Sequence, residues 1–327
     1  MVRPQATLCP NAKEPDHLAQ DDRSAKKQYT CPRRQSKPPS EIADHCVYCV
    51  TFRFPAVKFL APMSDFEIRF GGIARLYGLG GLERLRAAHV CVVGLGGVGT
   101  WAAEALARSG LGVLTLVDLD EICASNINRQ LHALTETVGR AKVDVMAARI
   151  RAINPDCRVL AEQQFFNAQT AAALLAPPFD FVLDAIDDVT NKVLLLAGCR
   201  QRHLSVVACG GAGGRRDGTR VRTADLAKVS HDRLLASVRK KLRQEFQFPA
   251  DASAMGVDCV FSAEPPVFPQ PDGSVGESQT VAPDGTRLNC NGGLGSATYV
   301  TGAFGFAAAG IIVSRIAEGL VQGTCNR

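Results

Sequence analysis

The run Gly94-Leu95-Gly96-Gly97-Val98-Gly99 gives the first chemical signal. It directly follows the apolar stretch 89–93 and opens a segment, 98–109, in which Ala, Trp and Leu recur at helical spacing. A strand-to-helix turn of this kind is tight, so it needs glycine. It lets the backbone approach a phosphate, and it aims free N–H groups at the anion. Asp118 closes the next apolar stretch, where a carboxylate accepts ribose hydroxyls. On these features alone, an ordinary nicotinamide or flavin site is the better reading.

The residues that follow shift the balance. Asp120 lies two beyond Asp118, then come Ser125-Asn126-Ile127-Asn128-Arg129-Gln130 and, on a predicted helix, Lys142. A pyrophosphate bridge is met mostly by backbone N–H groups. An Arg and a Lys converging on one pocket suit a triphosphate, whose charge grows as pyrophosphate leaves. Asp187, after a later strand, is placed to hold Mg²⁺ against that charge. Singly, each residue reads as well as a surface charge; together they define a site.

These residues need a frame, and the apolar pattern supplies one. Strands are predicted at 89–93, 114–117, 158–161, 181–183 and 205–208. Helices are predicted at 73–77, 81–87, 98–109, 140–153, 168–175 and 190–202. This alternation implies an α/β, doubly wound, Rossmann-like, mostly parallel sheet flanked by helices. A basic amphipathic helix is expected over 231–246, extended pieces at 256–261 and 267–269, and loop over 270–291. The uncharged stretch 292–314 raises a membrane question, but its six glycines and its Ser, Thr and Ala favour a buried helix packed closely on the sheet. No stable membrane insertion is expected.

The chain has 327 residues, and 46% of them are apolar, enough for a substantial core. Of its 37 Lys/Arg and 32 Asp/Glu, ten and six fall within 1–62, which leaves 27 and 26 for the rest. The body is therefore near neutral, and bulk charge makes no case for a nucleic-acid partner. Residues 1–62, rich in Pro, Lys, Arg, Gln and Ser without a sustained period, read as a disordered extension to a domain spanning 63–327. Twelve scattered cysteines in a chain with a large core read as reduced thiols, so a cytoplasmic location is expected. Only Cys46 and Cys49 have C-x-x-C spacing, and with no second pair no zinc is expected.

The glycine loop, Asp118-Leu-Asp120, the Ser125–Gln130 motif and Lys142 together resemble the ubiquitin-activating-enzyme-like superfamily of adenylating enzymes. Longer motifs resemble one branch of it, the bacterial tRNA threonylcarbamoyladenosine dehydratases. They are R-F-G-G-I-A-R-L-Y-G from Arg69, R-Q-L-H-A from Arg129, G-G-A-G-G from Gly210, D-L-A-K from Asp225, G-V-D-C-V-F-S from Gly256 and T-G-A-F-G-F from Thr301. The resemblance runs from about Asp65 to about Glu318.

That resemblance implies a homodimer that adenylates the carboxylate of a threonylcarbamoyl group beside the tRNA anticodon, after which the group cyclises. By position, Gly94, Gly96, Gly97 and Gly99 would contact ATP, Asp118 and its neighbour Asp120 the ribose side, and Asn126, Arg129 and Lys142 the phosphates. Asp187 would take the metal, and Arg75 or Arg69 would reach ATP from the other protomer. ATP and Mg²⁺ are the implied cofactors; a monovalent cation is admitted. A cysteine desulfurase and its sulfur acceptor are further implied partners. The C-x-x-C zinc pairs common in sulfur-carrier activators are missing from 64–327, which favours the dehydratase branch. Cys259 reads either as a nucleophilic thiol or as a buried structural residue, with ring closure needing no thiol. Candidate tRNA contacts are Arg215, Arg216, Arg220 and Arg222, and on the basic helix Arg233, Arg239, Lys240, Lys241 and Arg243. Phe246 and Phe248 could stack on bases or fill the core. Rival readings are an activator of a ubiquitin-like sulfur carrier, a non-catalytic scaffold for sulfur transfer, and an NAD-dependent oxidoreductase.

Overall fold

The structure, a computed structural model, describes residues 64–250, 253–278 and 294–321. The expected extension over 1–62, the Cys46/Cys49 pair and residues 279–291 of the expected loop lie outside these. The first helix, α1 (Asp65–Ala87), begins two turns earlier than apolar spacing predicts. Ser64 and Glu67 form a reciprocal capping box there, with Ser64 N donating to Glu67 Oε2 at 2.7 Å and Glu67 N to Ser64 Oγ at 3.2 Å. Gly78, at φ +77°, kinks the run, so the two predicted helices are two arms of one element.

Seven strands follow: β1 (His89–Val93), β2 (Val113–Val117), β3 (Arg158–Glu162), β4 (Phe181–Asp184), β5 (Ser205–Cys209), β6 (Val221–Asp225) and β7 (Asp258–Ser262). Their order is β3-β2-β1-β4-β5-β7-β6, and every pairing is parallel except β6 with β7. The chain runs outward from β1 through β2 to β3, then returns to β4 on the other side of β1. That reversal opens a crevice at the carboxyl ends of β1 and β4, where ligands bind in open α/β sheets.

The remaining helices are α2 (Gly97–Arg108), α3 (Lys142–Ile153), α4 (Ala171–Leu174), α5 (Val189–Gln201), α6 (Arg233–Glu245) and α7 (Thr298–Glu318). They cover both faces. Val90, Val92, Leu114 and Leu116 point into one core with Ala103, Leu106, Met146, Phe304 and Ile312, while Cys91, Val93, Val182 and Ala208 point into a second with Leu195, Leu196, Leu235 and Val238. This period-2 division of continuous apolar strands is what a sheet buried on both sides requires.

The uncharged C-terminal stretch forms α7. It is long and apolar enough to cross a membrane, yet 61% of its most apolar window is buried inside the protein. It packs on α2 as well as on the sheet. A Cβ at Gly305 would stand 2.6 Å from the Val98 carbonyl oxygen, so glycine there lets the two helix backbones close up.

Three expectations need correcting. The helix predicted at 168–175 shrinks to Ala171–Leu174, one turn ahead of Pro177-Pro178. The predicted loop over 270–291 contains Val275–Gly276 (β9), paired with Phe268–Pro269 (β8). Strand β6 was not predicted. It is an exposed antiparallel edge with Arg222 on it, and an edge strand that faces solvent shows no apolar run to read.

Candidate nucleotide-binding site

The glycine loop leaves β1 and turns into α2 at the β1/β4 crevice. Gly94 sits at φ +93°, a conformation L side chains rarely adopt, and its N–H donates to the Val117 carbonyl at 2.9 Å. Gly99 has a different reason for being glycine. A Cβ there would lie 1.8 Å from the Gly94 carbonyl oxygen, so helix and loop touch backbone to backbone. Gly96 caps α2, and a Cβ on it would meet nothing within 4 Å. The helix N-terminus therefore opens onto free space, with its N–H groups unclaimed by any side-chain cap. At Gly97 a Cβ would press on the Thr301 side chain at 3.0 Å.

Asp118 ends β2 beside this loop. Its Oδ2 accepts from Leu95 N–H at 2.6 Å and its Oδ1 from Asp120 N–H at 2.9 Å, so the carboxylate fixes the loop as well as facing the crevice. Lys142, first residue of α3, is 6% exposed. Its ammonium lies 2.7 Å from Asp120 Oδ2 and 3.7 Å from Asp118 Oδ1. Asp120 is half exposed and Asp118 largely buried. The predicted cation is thus held by the two predicted acids, pre-organised at the wall of the crevice.

Asn126 is buried, and its Oδ1 accepts from Cys123 N–H at 3.0 Å, which closes the short 3₁₀ turn Ala124–Asn126. Arg129 is half-buried. Its Nη1 donates to the Ser125 carbonyl at 2.7 Å and to Asn128 Oδ1 at 3.2 Å. Its own carbonyl accepts from Trp101 Nε1 at 3.1 Å and from Thr301 Oγ1 at 3.3 Å, so α2 and α7 both anchor the arginine's backbone. A Cβ at Gly97 would come within 3.4 Å of Arg129 Cγ, which sets the side chain beside the glycine loop. Trp101 and Thr301 were not predicted as site residues; only the Thr301 motif hinted at a role.

Asp187 is exposed, three residues past the end of β4. Beneath it, Asp184 and Lys192 form a fully buried ion pair at 2.8 Å. Burial pushes the Asp184 carboxyl upward against the pull of Lys192. Among the described residues no cluster of three or more His, Cys, Asp or Glu could hold a metal. A single exposed carboxylate fits Mg²⁺, which keeps waters and binds through one or two carboxylates plus substrate phosphates.

His132 belongs to the same wall. It is 2% exposed, with its ring against the Leu95 backbone. Desolvation, then the nearby Lys142 charge, pushes its pKa down to about 4, so the ring is neutral across the physiological range.

Two arginines behave differently on α1. Arg69 is engaged locally, at 2.6 Å from Asp65 and 3.3 Å from the Ile153 carbonyl, whereas Arg75 is exposed. Cys259 is fully buried, one residue into β7. Burial raises its thiol well above the ordinary value, which keeps it protonated and unreactive. In native protein, therefore, Cys123, the one exposed cysteine among the described residues, is expected to be alkylated before the other five described ones, and Cys259 only on unfolding. Peptide mapping after a timed iodoacetamide pulse checks this; early labelling of Cys259 would reverse its assignment.

Among the tRNA candidates, Arg216, Arg220, Arg222, Arg233 and Lys240 are exposed, and Lys241 and Arg243 partly so. Two others must be corrected. Arg239 turns inward, its Nη1 donating to the Leu226 and Val229 carbonyls at 3.0 and 2.8 Å. Arg215 is only 5% exposed, so it does not stand on the open surface with the other candidates. Phe248 is buried under the Arg200 guanidinium, 4.3 Å from the ring centroid, and fills the core.

Residues 72–316 match the ThiF family model. The chain belongs to the ThiF family. Within that family it is 48% identical to the tRNA threonylcarbamoyladenosine dehydratase of Escherichia coli K12, over 73% of this chain and 90% of that protein. It is 43% identical to the Haemophilus influenzae protein of the same name, over 81% and 98%. A crystal structure of the E. coli tRNA N6-threonylcarbamoyladenosine dehydratase in complex with ATP matches with a TM-score of 0.70 at 42% identity, covering 80% of this chain and 98% of that one. ThiF membership and an ATP-bound relative argue against the plain dinucleotide alternative.

Proposed function

We propose that this protein is an ATP-dependent tRNA threonylcarbamoyladenosine dehydratase acting on the modified adenosine beside the anticodon. The observation that carries the reading is high identity to named dehydratases along nearly their full length, combined with Arg129 beside the glycine loop, Lys142 paired to the Asp118 that holds that loop, and an α2 N-terminus free of any side-chain cap.

The chemistry follows from leaving-group ability. A carboxylate oxygen leaves poorly and AMP leaves well. The threonyl carboxylate attacks the α-phosphorus of ATP, the bond to pyrophosphate breaks, and an acyl-adenylate forms. The carbamoyl group of the same substituent then closes on the activated carbonyl and expels AMP, carrying away the former carboxylate oxygen. Holding both partners on one substituent makes that closure intramolecular. Arg129 and Lys142 face the charge that grows as pyrophosphate departs. Asp118 takes the ribose side, Asn126 shapes the loop that presents Arg129, and the glycine loop contacts the phosphates. Asp187 would hold Mg²⁺, which would supply positive charge against the departing pyrophosphate.

A homodimer belongs to this reading. Ile68, Leu76 and Leu79 on α1 are 64%, 76% and 74% exposed, an apolar strip that flanks exposed Arg75. A second copy covering this strip would carry Arg75, rather than Arg69, toward the neighbouring ATP. A cytoplasmic location rests on the scattered reduced thiols, the division into a 1–62 extension and a 63–327 adenylating domain on the composition of residues 1–62, and a monovalent cation and a sulfur-transfer partnership on the resemblance. The rival acceptor, the C-terminus of a ubiquitin-like carrier, would need no RNA.

Incubation with ATP and tRNA bearing the linear modification, followed by nucleoside mass spectrometry, tests the reading: a mass lower by one water is expected. ATP–pyrophosphate exchange that depends on a carrier protein and ignores the tRNA would sink it. For the RNA face, Lys240→Glu with Lys241→Glu is expected to weaken tRNA binding by about tenfold and flatten its salt dependence, with ATP affinity unchanged. Arg239 is left intact because its guanidinium holds carbonyls. Unchanged tRNA affinity removes α6 from the interface.

A further inference from the structure

Arg215 is the least explained cation among the described residues. It follows the second glycine loop, Gly210–Gly214, which leaves β5 at the same edge of the sheet as the nucleotide loop. The side chain is buried, and its Nη2 donates to the His231 carbonyl at 2.9 Å. Its Nε and Nη1 are buried too, and neither has a hydrogen-bond partner. A buried N–H without an acceptor costs on the order of 1–3 kcal/mol, more on a charged group.

The neighbouring acids do not answer for those donors. Asp232 accepts Gly211 N–H at 2.9 Å through Oδ2 and Leu235 N–H at 2.9 Å through Oδ1. Glu264 Oε2 accepts the N–H groups of Arg216 and Asp217, each at 2.9 Å. Both acids attract Arg215 electrostatically, yet its Nε and Nη1 hydrogen-bond to neither. Each is already committed to tying down backbone.

The loop is also joined to the nucleotide side. Gly214 N–H donates to the Gly295 carbonyl at 2.7 Å, and the next residue, Ser296, accepts from Asn128 Nδ2 at 2.7 Å, adjacent to Arg129. Residues 294–296 thus bridge the phosphate-side motif to the segment that presents Arg215, one strand further from the crevice than Asp184.

We propose that Arg215 is a receptor for an anionic oxygen of the RNA-borne substrate, presented next to the ATP crevice. This rests on the dehydratase reading above. The chemistry has two sources: the threonyl carboxylate that is to be adenylated, or a backbone phosphate beside the modified adenosine. Two buried donors on one guanidinium suit a single such group, not an extended phosphate run.

The test uses full-length protein and an anticodon stem-loop with or without the linear threonylcarbamoyl group. Arg215→Gln is expected to raise KM for the modified stem-loop by ten- to a hundredfold while Kd for ATP stays within twofold. Arg215→Lys should recover part of the loss. A binding defect confined to the modified stem-loop assigns the carboxylate; an equal defect on both assigns the phosphate. Either supports the receptor. If Arg215→Gln lowers Tm but leaves KM for the stem-loop unchanged, Arg215 is only a counter-ion to Asp232 and Glu264 and the inference falls. Should Gln misfold, Arg215→Ala measured the same way decides, since a raised KM with normal ATP affinity supports the receptor and an unchanged KM overturns it. Wild-type protein that dehydrates nothing would overturn the dehydratase reading, and this inference with it, whereas a working wild type with an indifferent Arg215 overturns the inference alone.

Discussion

Replacing Arg129 by Ala, or Lys142 by Met, is expected to cut AMP formation by about 10²–10³-fold each, the usual cost of removing one pre-organised group that faces charge developed in a transition state. The two act differently. Arg129 is half-buried and its backbone is pinned by Trp101 and Thr301, so losing its side chain should leave the fold intact and show as a fall in kcat. Lys142 is buried between Asp118 and Asp120, so its loss sets two carboxylates against incoming phosphates. Here the ATP affinity should fall as well, and Tm with it. The double variant should be little worse than the worse single one, since both serve one step. Single-turnover assays reading AMP, with ATP binding measured in parallel, check this. Turnover within threefold of wild type in both variants would remove the proposed phosphate wall.

The second large effect separates two glycines three residues apart. Gly99→Ala is expected to cost about 3 kcal/mol or more, because its methyl would overlap the Gly94 carbonyl and backbone cannot move aside cheaply. For a domain of this size that is a fall in Tm on the order of 10 °C. Gly96→Ala should leave Tm unchanged, since its methyl meets nothing within 4 Å and the backbone there has negative φ. It should instead weaken ATP binding at least tenfold, because that open space is where phosphate must approach. A thermal melt and an ATP titration on each variant suffice. Equal effects on both quantities at both positions would mean that the loop has no phosphate-facing side.

The sequence alone determined most of the frame. Strands buried on both faces read as short continuous apolar runs, and β1 was legible from His89 to Val93 because nothing but packing acts on it. The glycine loop, Asp118, Arg129 and Lys142 were legible because phosphate chemistry restricts both residue type and order along one strand–helix–strand unit. What the sequence could not supply was any property that depends on which distant segments meet. Arg215 and Arg239 look like their exposed neighbours in a linear chain; only the packing of 210–217 against 231–232 and 264, and of α6 against Leu226 and Val229, turns them inward. Cys259 had two readings until β5 and β6 enclosed it. The pairing of Lys142 with Asp120 spans 22 residues, and the anchoring of Arg129 by Thr301 spans 172. Local pattern encodes periodicity and turn chemistry, which act over a few residues. Burial, charge pairing and the donors left over are decided only when the chain closes on itself.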